Sequence, residues 1–225
     1  MDILIVSATS IEIESLLSAF SFKETKNTNL SAYIYRDFNI DVLITGVGMV
    51  STAYGMGKVL QAFKYDMAIN AGIAGCFDKN IPLGEVLNIT SDCFPELGAE
   101  DGEYFLSLID LKLLEADSFP YNNMELINDS VINSAYVNEL KRVKGITVNT
   151  IHGAEDNINK IKTIFGPITE SMEGAAFMYA CKMENLKHLQ IRSVSNYVEK
   201  RNKASWNIPL AIKNLNTTLM NILNE

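Results

Sequence analysis

Histidine is almost missing from this chain: of 225 residues, only His152 and His188 are of that type. The three cysteines, Cys76, Cys93 and Cys181, are widely spaced and form no C-x-x-C. Zinc sites need clustered Cys and His ligands, and a disulfide framework needs paired cysteines, so neither is expected to organise the fold. Two histidines also argue against a His-rich metal site. No apolar run reaches the ~20 residues of a membrane-spanning helix. The start Met1-Asp2-Ile3-Leu4-Ile5-Val6-Ser7 lacks the basic residues and length of a secretory signal. Basic residues are also in deficit: 19 Lys and Arg against 27 Asp and Glu give a formal charge of −8. Nucleic-acid binders present a basic face, so nucleic acid is not an expected partner, nor is a membrane. The chain is expected to be cytoplasmic and reduced. No internal repeat, low-complexity tract or linker interrupts it, so residues 1–225 are expected to form one domain.

What is present is an alternation of strand and helix patterns. The apolar run Ile3–Ser7 predicts a buried strand. Ile13, Leu16, Leu17 and Phe20 follow helical spacing and predict a helix over about 11–20. Ala32–Arg36 and Ile40–Thr45 alternate and predict paired strands around Asp37-Phe38-Asn39. Gly46-Val47-Gly48 breaks that pattern, and a helix is predicted to about Phe63. Strands are predicted at Asp66–Asn70, which ends at Ala71-Gly72-Ile73-Ala74-Gly75, and at Glu85–Thr90, Ile146–Ile151 and His188–Val194. Helices are predicted over 131–143, 156–164, 173–183 and 210–223, and the stretch 93–128 reads as loop-rich. This order implies an α/β domain with a largely parallel sheet. In such sheets ligands bind beyond the carboxyl ends of strands. That places a site among Ala8–Glu12, Gly72–Gly75, Ile151–Gly153 and Ser195–Asn196.

Several residues there could carry chemistry, each with a plainer alternative. Glu12 in Thr9-Ser10-Ile11-Glu12 is either a capping-box carboxylate or a general base able to deprotonate water. Its neighbour Glu14 reads as solvated. Glu173 opens a helix, where a negative charge suits the dipole. Its two oxygens could equally accept hydrogen bonds from two vicinal hydroxyls. Asn196 is either a turn amide or a donor–acceptor pair matching the N7/O6 edge of a purine. Neither glycine segment is a P-loop, because no Gly-Lys-Ser/Thr follows.

Taken together, these segments resemble the nucleoside phosphorylase/nucleosidase superfamily. The matches are Ile3–Glu12, Thr45-Gly46-Val47-Gly48, Asn70–Gly75, Leu83-Gly84-Glu85-Val86, Ser171-Met172-Glu173-Gly174-Ala175-Ala176 and Arg192-Ser193-Val194-Ser195-Asn196, in order over roughly 1–200. The resemblance implies a three-layer α/β/α domain with a mixed, barrel-like central sheet. Within the superfamily the chain is similar to futalosine hydrolases, through Asp92, Leu97–Gly102, Thr147–Gly153, Gln190–Glu199, Arg201-Asn202 and Trp206. That family releases hypoxanthine from futalosine in menaquinone biosynthesis. The implied partner is a small purine nucleoside, the implied assembly a homodimer or larger homo-oligomer, and no metal or organic cofactor is implied.

By position, the resemblance makes Glu12 the activator of water, Glu173 the ligand of the ribose 2′- and 3′-hydroxyls, and Asn196 the ligand of the purine edge. Met172 would pack beside the sugar. Ile73 and Ala74 would line the site near base and ribose. Ile151 and His152 would lie along the base, mainly through backbone atoms. Arg192 and Arg201 join the substrate-binding set, with Arg201 and Lys203 the candidates to meet an aromatic carboxylate on the substrate. Similar methylthioadenosine/S-adenosylhomocysteine nucleosidases carry Asp where Asn196 stands. Asn cannot give N7 a proton, and it suits a 6-oxopurine, though a flipped amide could serve adenine. Related phosphorylases hold phosphate with a Gly-Asp-Pro…Arg stretch after the first strand. Here that stretch is Ala8-Thr9-Ser10-Ile11-Glu12, and only four arginines exist in the chain. Water is therefore the expected nucleophile, although Ser51 falls near a phosphate-ligand position.

Overall fold

The apolar run after Met1 becomes a strand buried on both faces. In the computed structural model, which describes residues 1–225, twelve strands form. They are β1 (Asp2–Ser7), β2 (Ser21–Asn27), β3 (Leu30–Tyr35), β4 (Phe38–Ile44), β5 (Met67–Cys76), β6 (Val86–Asp92), β7 (Gly98–Asp101), β8 (Tyr104–Ser107), β9 (Leu126–Ile127), β10 (Lys141–Thr147), β11 (Thr169–Ser171) and β12 (His188–Tyr197). The helices are α1 (Glu14–Leu17), α2 (Met49–Ala62), α3 (Ala135–Glu139), α4 (Glu155–Phe165), α5 (Gly174–Met183) and α6 (Ile208–Asn224). Ile3 and Ile5 of β1 pack with Leu215 and Leu219 of α6. Leu4 and Val6 turn the other way, onto Met56 of α2 and Phe177 of α5. Side chains alternate across a strand, so this one strand defines the three layers. Burying each such side chain contributes roughly 1.5–3 kcal/mol.

The sheet is mixed and partly closed. β5 pairs with β12, β12 with β6, β6 with β10, β10 with β11, and β11 returns to β5. These five strands make the expected barrel-like ring. From β5 the sheet continues through β1, β4, β3 and β2. No helix is long and apolar enough to cross a membrane.

Several elements differ from expectation. The predicted helix over 11–20 is a 3-10 turn, Ser10–Ile13, and one α-helical turn, α1. The chain then enters β2, a wholly exposed strand with no apolar alternation to reveal it. The predicted helix over 131–143 shrinks to α3, and its last residues begin β10. Val143 fits the helical stripe, yet Val143, Gly145 and Thr147 share one buried strand face. β5 runs on through its glycines to Cys76, and β12 runs on to Tyr197. The loop-rich stretch holds the β7–β8 hairpin.

Candidate active site

The carboxyl ends of β1, β5 and β12 meet the loop after β10 and the start of α5, and this junction assembles the predicted residues. Glu12 is held by the turn that follows β1. Its Oε2 accepts from the Thr9 backbone N–H at 3.1 Å, the Thr9 hydroxyl at 2.9 Å and the Ser7 hydroxyl at 3.3 Å. Its Oε1 accepts from the Ile73 N–H at 3.1 Å. The capping geometry and the approach to β5 therefore coexist in one carboxylate. Gly72 makes that approach possible: a Cβ there would stand 3.1 Å from Glu12 Oε1 and 3.2 Å from Arg192 Nη1.

Glu173 stands immediately before α5, on the opposite wall, and its side chain makes no capping bond to that helix. Its Oε1 accepts from the Gly48 N–H at 2.9 Å, and Gly48, with φ of 102°, reaches a conformation that other residues rarely adopt. Burial pushes the Glu173 carboxyl above its ordinary range, while Arg192 and the Gly48 N–H pull it back and the Glu12 charge pushes it further up. Arg192 lies beneath both carboxylates at 1% exposure. Its guanidinium donates to Asn70 Oδ1 and to the Ile191 carbonyl. It forms part of the wall behind the site, screened from solvent. Met172 and Ile73 are half-buried and Ala74 is buried.

Asn196 owes its place to an irregularity. β12 pairs Val194 with Ala74 and Asn196 with Gly75, so Ser195 is an extra residue in the ladder. Such a bulge re-aims the following side chain. Asn196 Oδ1 accepts from the Ser195 hydroxyl at 2.9 Å, and Nδ2 donates to the Tyr197 carbonyl at 3.1 Å. One donor and one acceptor position on the amide stay free. Ile151 is exposed, and His152 is bound through both its backbone N–H and Nδ1 to Glu170. Arg201 is exposed and stacks at 5.1 Å on Trp206, and Lys203 is exposed in the same loop. Two cavities flank the junction. One of about 340 Å³ lies between the β7–β8 hairpin and α4 and reaches His152. Another of about 400 Å³ lies over α2 and α5, near Val50, Phe94 and Tyr179.

Three supports escaped the sequence reading. Asn216 of α6 donates to the Glu12 carbonyl at 2.8 Å. Glu170 holds His152. Asp92 accepts from Thr147 Oγ1 at 3.0 Å and Gln190 Nε2 at 2.8 Å, under the start of α5. Burial pushes the Asp92 carboxyl up to about 6, against the pull of these hydrogen bonds and of Arg192. Asp92 carried only a resemblance, and Glu170 and Asn216 carried no local signal.

The phosphorylase superfamily model matches residues 2–224. The chain belongs to this superfamily. Among superfamily relatives, a futalosine hydrolase of Streptomyces coelicolor is 26% identical, covering 94% of this chain and 91% of its own. One from Thermus thermophilus is also 26% identical, covering 99% and 95%. A 5'-methylthioadenosine/S-adenosylhomocysteine nucleosidase of Buchnera aphidicola is 25% identical, covering 97% and 88%. The superfamily fold is equally clear in solved structures. Futalosine hydrolase of Helicobacter pylori superposes with a TM-score of 0.82 at 15% identity, covering 100% of this chain and 98% of its own. A methylthioadenosine/S-adenosylhomocysteine nucleosidase of Neisseria meningitidis, in complex with methylthio-immucillin-A, gives 0.81 at 19%, covering 99% and 98%.

Proposed function

We propose that the chain hydrolyses the N-glycosidic bond of a purine nucleoside, and that futalosine is its substrate. The observation that carries this reading is the pairing of Glu12 and Glu173 across one junction, with the Asn196 amide at its far end. In the reaction, Glu12 takes a proton from water, and the water oxygen bonds to the anomeric carbon. The bond from that carbon to N9 breaks, and its electron pair leaves with the purine. Glu173 holds the ribose hydroxyls, and the positive charge that develops on the sugar is favoured between two carboxylates. Glu12 is engaged by four donors, which fix its position. Such preorganisation supplies rate through orientation.

Asn196 separates the two nucleosidase readings. Its N–H donates to O6 while its oxygen accepts from N7, which takes its proton from solvent water as the base leaves, an arrangement that fits hypoxanthine as leaving group. The alternative, an adenine-releasing nucleosidase, requires the amide to be reversed. The stretch Ala8-Thr9-Ser10-Ile11-Glu12 holds no arginine and the buried Arg192 is bonded to Asn70 and Ile191, which supports water over phosphate, and the Glu12 carboxylate would repel a second anion at that point. Exposed Val50 and Tyr54 on α2, with Tyr179 and Met183 on α5, support pairing of two copies through that face. The deciding experiment is chromatography of purine release from futalosine, with and without phosphate, beside inosine, 6-amino-6-deoxyfutalosine and methylthioadenosine. Hypoxanthine from futalosine in phosphate-free buffer is the expected result. Adenine release alone, or strict phosphate dependence, would replace this reaction by one of its relatives.

A further inference from the structure

Glu170 has no exposed side-chain surface, and both of its hydrogen bonds go to one residue. Its Oε1 accepts from the His152 backbone N–H at 3.1 Å, and its Oε2 lies 2.7 Å from His152 Nδ1. A carboxylate only accepts, so Nδ1 carries the hydrogen, and in that tautomer Nε2 is the nitrogen with the lone pair. The ring keeps 12% of its surface exposed, and Nε2 has no partner within the chain.

The pair stands beside Asn196. A Cβ on Gly75 would meet Asn196 Nδ2 at 3.4 Å and Glu170 Cγ at 3.5 Å, so both side chains border the same glycine. The His152 loop also lies against the segment after β12, since a Cβ on Gly153 would stand 3.8 Å from the Glu199 carbonyl. The Glu199 carboxylate itself is taken by Lys79 at 2.6 Å, which leaves Glu170 as the group that sets the imidazole.

We infer that His152, anchored by Glu170, reads N1 of the purine. Its Nε2 accepts the N1–H of a 6-oxopurine and repels the N1 lone pair of a 6-aminopurine. This rests on the nucleosidase reading, with Asn196 on the N7/O6 edge, because N1 is the next ring atom beyond the carbon that bears O6. His152 is then a specificity-determining residue, and Glu170 a positioning residue that fixes its tautomer.

Glu170→Gln tests this directly. The His152 backbone N–H needs an acceptor, so the new amide turns its oxygen there and its NH₂ toward Nδ1. Nδ1 must then accept, the hydrogen moves to Nε2, and the ring offers adenine N1 a donor. The readout is kcat/KM for futalosine and for 6-amino-6-deoxyfutalosine, with thermal unfolding followed in parallel. The parent should favour futalosine. Glu170→Gln should lose about 10-fold or more on futalosine, the scale of one unpaired buried polar group, and gain on the amino nucleoside. His152→Leu, which offers no nitrogen, should lose the discrimination without inverting it, and decides the matter if Glu170→Gln does not fold. An unchanged ratio in the folded variants overturns the inference and leaves the nucleosidase reading standing, as does a parent that prefers the amino nucleoside. A parent that releases no purine from either overturns the nucleosidase reading itself.

Discussion

Asn216 and Glu12 lie 204 residues apart in the chain, yet Asn216 Nδ2 donates to the Glu12 carbonyl at 2.8 Å. The Asn216 oxygen accepts from the Leu16 N–H at 2.8 Å. One buried amide of α6 thus clamps both ends of the turn that carries the proposed base. Asn216→Leu should leave a carbonyl and an N–H unpaired, costing roughly 1–3 kcal/mol of stability. It should also lower kcat by about 10- to 100-fold with little change in KM, because misplacement of a reacting group acts on orientation. Denaturant unfolding together with steady-state kinetics measures both effects. An unfolding cost without a kcat effect would make Asn216 purely structural.

Glu12→Gln keeps the shape of the side chain and removes its basicity. Turnover should fall by roughly 10²- to 10⁴-fold, the usual scale for a general base, while binding of a nucleoside analogue stays nearly intact. Calorimetric titration beside a turnover assay distinguishes the two. Near-normal turnover would remove Glu12 as the base.

Gly174 opens α5 directly over the buried Asp92–Gln190 contact. A Cβ there would stand 2.1 Å from Gln190 Nε2 and 2.4 Å from Asp92 Oδ2. Gly174→Ala should therefore destabilise the fold by roughly 1–3 kcal/mol, the scale of overpacking. A melting temperature equal to that of the parent would mean that the network yields at no cost.

Asp92 titrates from an unusual position, because burial pushes its carboxyl up from the ordinary 3.8 to about 6. The folded state therefore holds a proton that the unfolded chain has already released. The parent should lose stability relative to Asp92→Asn as pH rises from about 4 through 6, by about 3 kcal/mol in all. Above that window the difference should level off. Unfolding curves for both chains between pH 4 and 8 measure it, and a pH-independent difference would contradict the shift.

Arg201 is stacked on Trp206 and remains exposed, and its proposed role is to meet a substrate carboxylate. Arg201→Ala should raise KM for futalosine and leave inosine, which has no carboxylate, unchanged. An equal effect on the two would end that role.

Much of the sheet was legible because apolar residues recur in its buried strands. Ile3–Ser7 is visible as an apolar run, Ile40–Thr45 by alternation and His188–Val194 by Leu189, Ile191 and Val194, and the glycines at 46, 48, 72 and 75 mark where the chain approaches other groups. What local patterns could not show is pairing over distance. β11 has three residues, too few for a period, yet it closes the ring. β2 is exposed along its whole length, so no hydrophobic alternation betrays it. Glu170 sits next to Ser171 with nothing nearby to mark it, since its partner His152 is 18 residues earlier. The residues at the junction could be proposed from the sequence, whereas the groups that aim them came from tertiary contacts.

Closure of the strand ring through β11 and β5 leaves β2 as the long open border of the sheet. Unpaired backbone along such a border invites other chains to add on, which is the first step of aggregation. β2 carries Lys23, Glu24 and Lys26 along seven exposed residues, and Lys26 is tied at 2.6 Å to Asp41. These charges make a poor template for a neighbouring strand. Replacing them with valine or threonine would be expected to turn a guarded border into an adhesive one, seen as concentration-dependent turbidity with the junction itself untouched.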